Sequence, residues 1–130
     1  MAITIYHNPN CSTSRDTVRF CKDAGFDPVI IEYLQSGWTK ELIQQLSSAL
    51  DKTPFEMLRP NAQADMKKQS PQPTDAEIIE SMIADPILVE RPIVVTPRGT
   101  YLCRPLSNVT DILDAFPKSP WLSEKGVEIV

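Results

Sequence analysis

Ile3-Thr4-Ile5-Tyr6-His7 alternates with a period of two and closes on Asn8-Pro9-Asn10, the pattern of a strand running into a turn. Val18, Cys21 and Ala24 then recur on one helical face until Gly25, and Thr13 with Asp16 three residues later fits a capping box at the helix start. The apolar run Pro28-Val29-Ile30-Ile31-Glu32-Tyr33-Leu34 follows, of the type buried in parallel sheets. A strand, one helix and a second strand in so short a stretch predict a right-handed βαβ crossover. Whatever follows must complete a sheet whose first pair is parallel.

The middle of the chain reads as helical. Thr39 caps a segment in which Leu42, Ile43, Leu46 and Leu50 share a face. Thr53-Pro54-Phe55-Glu56 is a capping box with proline at N1, on a short helix ending at Arg59-Pro60. Asn61 to Pro73 is polar and reads as an exposed loop, and Thr74-Asp75-Ala76-Glu77 caps a helix bearing Ile78, Ile79, Met82 and Ile83 that stops at Asp85-Pro86. Ile93-Val94-Val95, the turn Thr96-Pro97-Arg98-Gly99 and Thr100-Tyr101-Leu102-Cys103-Arg104 then form an antiparallel hairpin. Ser107 is expected to cap a last helix through Val109, Ile112, Leu113 and Phe116, leaving Pro117 to Val130 as a tail without periodicity. The order βαβ, helices, ββα predicts an α/β fold with a thioredoxin-like mixed sheet.

With 130 residues, the chain is expected to be a single domain, with an all-helical insertion at about residues 38–85. Its apolar runs fall far short of the roughly 18–20 residues of a membrane span, and no basic segment precedes the first strand, so neither an anchor nor a signal peptide is expected. Thirteen Lys and Arg against seventeen Asp and Glu give a net charge of −4, which argues against non-specific binding to nucleic acid or an anionic membrane. Any anion must be captured locally. The cysteines Cys11, Cys21 and Cys103 are too few and too far apart for a disulfide framework, and their odd number points to a reducing cytoplasm.

Cys11 lies between the carboxyl end of a strand and the amino end of a helix, where free N–H groups and the helix dipole stabilise an anion. A thiolate is such an anion, so Cys11 is expected to ionise below the free value of about 8.5 and act as a nucleophile. Ser14, one turn on, can donate its hydroxyl to the sulfur, and His7, the one histidine, ends the strand feeding the loop. Cys21 shares the apolar stripe of its helix and Cys103 alternates in a strand, so both read as buried structural thiols. Cys11-Ser12-Thr13-Ser14 is C-x-x-S, which cannot close a local disulfide, so the reductant must come from elsewhere. Thr17 stands where a phosphatase-type loop would need arginine, and one histidine with scattered thiols cannot build a zinc site.

Arg59-Pro60, Arg91-Pro92 and Arg104-Pro105 each put an arginine before a proline, which keeps the arginine backbone extended. The planar guanidinium fork suits oxyanions. Pro92 opens a strand opposite the helix-start cysteine, the place of the cis-proline loop in thioredoxin-like folds. One activated thiolate and three guanidiniums describe a site for a small tetrahedral oxyanion.

Tyr6-His7-Asn8-Pro9-Asn10-Cys11-Ser12-Thr13-Ser14-Arg15, Glu90-Arg91-Pro92-Ile93-Val94-Val95-Thr96 and Leu102-Cys103-Arg104-Pro105 closely resemble the glutaredoxin-linked arsenate reductase family. The resemblance runs in order from Ile3 to about Leu113 and includes Leu58-Arg59. Ser12 departs from it, standing where family members often have glycine, as does Pro60, where a polar residue is expected. The resemblance implies that Cys11 attacks arsenate, that Arg59, Arg91 and Arg104 hold the oxyanion and its thiol adduct, and that His7 and Ser14 tune the thiolate. It implies glutathione as co-substrate and glutaredoxin as partner, with no tightly bound cofactor or metal. Two other readings share the fold: a thiol-dependent reductase or transferase acting on another electrophile, and a regulator that binds RNA polymerase. The regulators usually carry C-x-x-C, so C-x-x-S favours the enzyme.

Overall fold

β1 (Thr4–His7) runs parallel to β2 (Val29–Glu32) on one side and antiparallel to β3 (Ile93–Thr96) on the other in the computed structural model, which describes residues 1–130. β4 (Gly99–Leu102) pairs with β3, giving the strand order β2-β1-β3-β4. This is the thioredoxin-like mixed sheet expected from the order of elements. The registers Ile5↔Ile30, Tyr6↔Ile93 and Ile93↔Leu102 bring the carboxyl end of β1 beside the start of β3 and the end of β4. Gly99 closes the hairpin at φ 153°, and a Cβ there would come within 3.2 Å of Ile112 Cγ2, so the turn requires glycine.

The chain divides into two compact units, Met1–Glu32 with Arg91–Val130, and Tyr33–Glu90. In the first, α1 (Ser12–Asp23) contributes Phe20 and Cys21 to a core with Ile3, Ile5, Val94, Cys103, Val109, Ile112 and Leu113. Each of the aliphatic and aromatic side chains among them contributes roughly 1.5–3 kcal/mol by leaving water. Three expectations change here. β2 is an edge strand with Val29 60% exposed, because an apolar β-branched run reads alike at the edge and the centre of a sheet. The cap of α1 is Cys11, not Thr13, and Asp16 instead accepts a hydrogen bond from the Glu124 backbone N–H. The expected last helix is a short 3-10 segment, Leu106–Asp111, after Pro105 and without a side-chain cap. Apolar residues spaced by three fit either helix type, and Phe116 lies outside, 50% exposed.

The tail from Pro117 is ordered against α1. Trp121 is buried, meets Phe20 edge to face at 5.0 Å between ring centroids, and donates its Nε1–H to Asp23 at 2.8 Å. The Arg19 guanidinium lies 4.0 Å from the Trp121 ring centroid, and a small hairpin closes the end through Trp121 N–H to Val130 O and Ile129 N–H to Trp121 O.

The second unit contains α2 (Tyr33–Ser36), α3 (Lys40–Leu50), α4 (Pro54–Met57), α5 (Pro60–Lys67) and α6 (Asp75–Ala84). The Thr39 cap and the capping boxes at Thr53/Glu56 and Thr74/Glu77 are formed as the sequence predicts. Asn61–Lys67, expected as loop, is instead helical in α5. This helix has almost no apolar stripe, burying only Ala62, and is started by Pro60 at N1 after the extended Arg59. Met57–Arg59 is pinned to Leu88–Glu90 by the Leu58–Val89 bridge, with Arg59 N–H to Leu88 O at 2.9 Å and Glu90 N–H to Met57 O at 2.8 Å. No helix is long and apolar enough to cross a membrane.

Candidate active site

The turn after β1 shapes the loop before α1. Asn8, itself buried, accepts the Cys11 N–H on its carbonyl at 3.1 Å and the Asn10 N–H on its Oδ1 at 2.9 Å. Cys11 is thereby held in an extended conformation (φ −107°, ψ 123°) as the N-cap of α1, half-buried at the exposed ends of the first-turn N–H groups.

The hairpin brings the arginines to this place. Cys103 N–H donates to Pro92 O at 3.0 Å, extending the β3–β4 ladder by one step, so Arg91 and Arg104 leave the sheet from the same end. Both precede cis prolines, Pro92 and Pro105, and the first matches the cis-proline position anticipated for Pro92. Arg104 Nη1 donates to Cys11 Sγ at 3.3 Å, and the Arg91 side chain also hydrogen-bonds the sulfur.

Burial opposes ionisation of Cys11, but the Ser14 backbone N–H, the Arg91 hydrogen bond and the charges of Arg104 and Arg91 outweigh it and hold its pKa below the ordinary thiol value. The other two thiols go the opposite way: burial pushes Cys21 up to about 12 and Cys103 higher still. Both are fully buried, as the apolar stripe and strand positions predict. Three free cysteines thus divide into one ionisable and two inert.

His7 and Ser14 are joined, in an arrangement the sequence did not suggest. His7 Nδ1 lies 2.6 Å from Ser14 Oγ, which also accepts the Asn8 N–H at 3.0 Å. Ser14 therefore gives its hydroxyl to His7 and the loop, and faces Cys11 with its backbone N–H instead. Burial lowers the His7 pKa, opposed by Glu32 and assisted by Arg15 and Lys22. A neutral imidazole accepting the Ser14 proton on Nδ1 satisfies the whole set. Arg59 belongs to the second unit, where it is the extended N-cap of α5 (φ −65°, ψ 154°) and half-buried. No three His, Cys, Asp or Glu side chains are grouped to hold a metal ion.

One neighbour of the cysteine was not singled out from the sequence. Arg15, one turn into α1, donates Nη1 to Pro9 O at 2.8 Å and grips Glu124 of the tail with Nε and Nη2 at 2.9 and 3.0 Å. Its i, i+4 spacing from Cys11 was the available signal.

A thiolate facing two guanidiniums at the start of a helix is equipped to receive an oxyanion and attack its central atom. Residues 6–112 match the ArsC family. The chain belongs to that family. It is 44% identical to the arsenate reductase ArsI2 of Synechocystis sp. over 132 aligned positions, which span 98% of this chain and 93% of the relative. Against an arsenate reductase of Escherichia coli the identity is 38%, covering 98% of this chain and 92% of the relative. Among solved structures, the arsenate reductase from Vibrio cholerae is similar with a TM-score of 0.78 and 32% identity, over 87% of this chain and 98% of that one. The ArsC match spans Cys11, Arg59, Arg91 and Arg104 together.

Proposed function

We propose that this ArsC-family protein reduces arsenate to arsenite with the Cys11 thiolate as nucleophile, glutathione as electron donor and glutaredoxin as the partner that restores the thiol. The observation that carries the reading is the Arg104 Nη1 to Cys11 Sγ contact at 3.3 Å, joined by the Arg91 bond to the same sulfur. The same guanidiniums that favour the thiolate suit a tetrahedral oxyanion through paired, charge-assisted hydrogen bonds. Names and identities of the relatives support arsenate as that oxyanion.

The Cys11 sulfur displaces one arsenate oxygen, which leaves as water after protonation, and a sulfur–arsenic(V) bond forms. A glutathione thiolate then attacks the Cys11 sulfur. The sulfur–arsenic bond breaks with its electron pair going to arsenic, which leaves as arsenite, and a glutathione–Cys11 disulfide remains. Two thiols have been oxidised and arsenic has gained two electrons. Glutaredoxin takes the glutathione by thiol–disulfide exchange and frees the Cys11 thiolate. Arg91 and Arg104 balance charge on the oxyanion. His7 and Ser14 keep the loop geometry in which the Ser14 N–H supports the thiolate. No tightly bound cofactor enters this scheme, and the free thiols suit a reducing cytoplasm.

The test is arsenate-dependent NADPH oxidation in a mixture with glutathione, glutaredoxin and glutathione reductase. Turnover that needs every component supports the proposal; oxidation by the folded protein that ignores arsenate removes it.

A further inference from the structure

Arg15 connects two segments distant in sequence, the Pro9 carbonyl of the cysteine loop and the Glu124 carboxylate of the tail, using three of its donors at once. The carboxylate contact is bidentate, so it sets the plane of the guanidinium and not only its charge. Asp16, buried, accepts the Glu124 backbone N–H at 3.0 Å, which fixes where the tail carboxylate sits along α1. Arg19 Nη2 holds Leu122 O at 2.6 Å, and Trp121 anchors the segment to Phe20. Glu124 is therefore presented to Arg15 from a segment tied to α1 at Asp16, Arg19 and Phe20. Pro9 and Asn8 form the turn whose carbonyl and side chain set the backbone of Asn10 and Cys11.

We propose that Glu124 is a positioning residue for Cys11: by orienting Arg15 onto the Pro9 carbonyl, the carboxyl-terminal tail holds the loop in the geometry that presents the sulfur to the Ser14 N–H and to Arg104. This rests on the reading of Cys11 as the reactive thiol and adds to it a residue 113 positions away. Glu124 touches no reacting atom; it acts through Arg15. The charged groups that face Cys11 are Arg91 and Arg104 from the hairpin and Arg15 from its own helix.

The sign of the effect separates positioning from simple electrostatics. Removing a carboxylate near a thiol lowers the thiol pKa if charge alone is at work, because the thiolate then loses a repelling neighbour. If Glu124 positions the loop, its removal loosens the Ser14 and Arg104 contacts and the Cys11 pKa rises. The experiment is the pH profile of Cys11 alkylation by iodoacetamide, read by peptide mass spectrometry, for the wild type, Glu124→Gln, Glu124→Asp and the tail control Glu128→Gln. The expected result is a rise in the apparent Cys11 pKa of roughly half a unit or more in Glu124→Gln. Glu124→Asp, which keeps the charge on a shorter arm, should recover part of it, and Glu128→Gln should match the wild type. In Arg15→Ala the pKa also rises, and adding Glu124→Gln to it should change nothing further. A fall or no change in Glu124→Gln, or additive effects in the double variant, overturns the proposal. A wild-type Cys11 that alkylates like a free thiol would instead remove the nucleophile reading itself, so the two failures are distinguishable.

Discussion

Arg104 Nη1 reaches Cys11 Sγ at 3.3 Å across 93 positions of sequence. The contact exists because β3 pairs antiparallel with both β1 and β4, so the end of β1 and both outer ends of the hairpin meet at one end of the sheet. Arg91 and Arg104 leave the sheet on either side of that hairpin, and the helix that begins at Cys11 opens toward them.

If those arginines bind arsenate through their planar forks, lysine at either position keeps the charge and loses the paired hydrogen bonds. Arg91→Lys and Arg104→Lys should each raise the KM for arsenate roughly tenfold. Arg98→Lys is the control, since Arg98 is exposed in the hairpin turn and its side chain donates to Leu113 O at 3.4 Å, away from Cys11. Steady-state kinetics over a range of arsenate decides it, and equal KM values for all three variants would remove the arginine pocket.

Stability should respond to His7 below neutral pH. Burial holds its folded pKa below the ordinary 6.5, so in that window the unfolded chain binds the extra proton. The contribution of His7 is complete above 6.5 and is lost as pH falls from there through the folded pKa. The Glu56, Glu77 and Glu124 carboxyls are also lowered from 4.5, so their contributions are lost only at more acid pH. Urea unfolding between pH 7.5 and 5.5 should show a decline that His7→Gln flattens. An unchanged slope in the variant would contradict the burial argument.

Trp121→Ala should cost about 3–5 kcal/mol, the usual range for deleting a buried tryptophan. The residue is 6% exposed, packs on Phe20 and satisfies its Nε1–H at Asp23. Urea denaturation gives the value directly, and a loss below about 1 kcal/mol would mean that the tail is not part of the first unit's core.

Much of the site was legible because its chemistry lies beside strong backbone signals. Cys11 follows a strand and opens a helix, and the arginines precede prolines at strand ends, so pattern and turn residues located Cys11, Arg91 and Arg104 on one sheet. Less legible was anything that depends on a contact rather than a period. Helix α5 has no apolar stripe and announces itself only through Pro60. Trp121 is one aromatic in an aperiodic tail, and its partner Asp23 lies 98 positions away. The Ser14 hydroxyl could have faced either the sulfur or His7, and only the folded turn, which brings the Asn8 N–H and His7 Nδ1 to the same oxygen, decides between them.

The central claim is that a single activated thiolate, Cys11, carries the reaction. Its most direct test is iodoacetamide labelling at pH 7, with the extent of modification at Cys11, Cys21 and Cys103 followed by mass spectrometry alongside arsenate turnover. The predicted result is modification confined to Cys11 in the folded protein, with turnover lost in proportion to it. Retained turnover after complete modification of Cys11, or equal labelling of all three thiols in the folded state, would contradict the account.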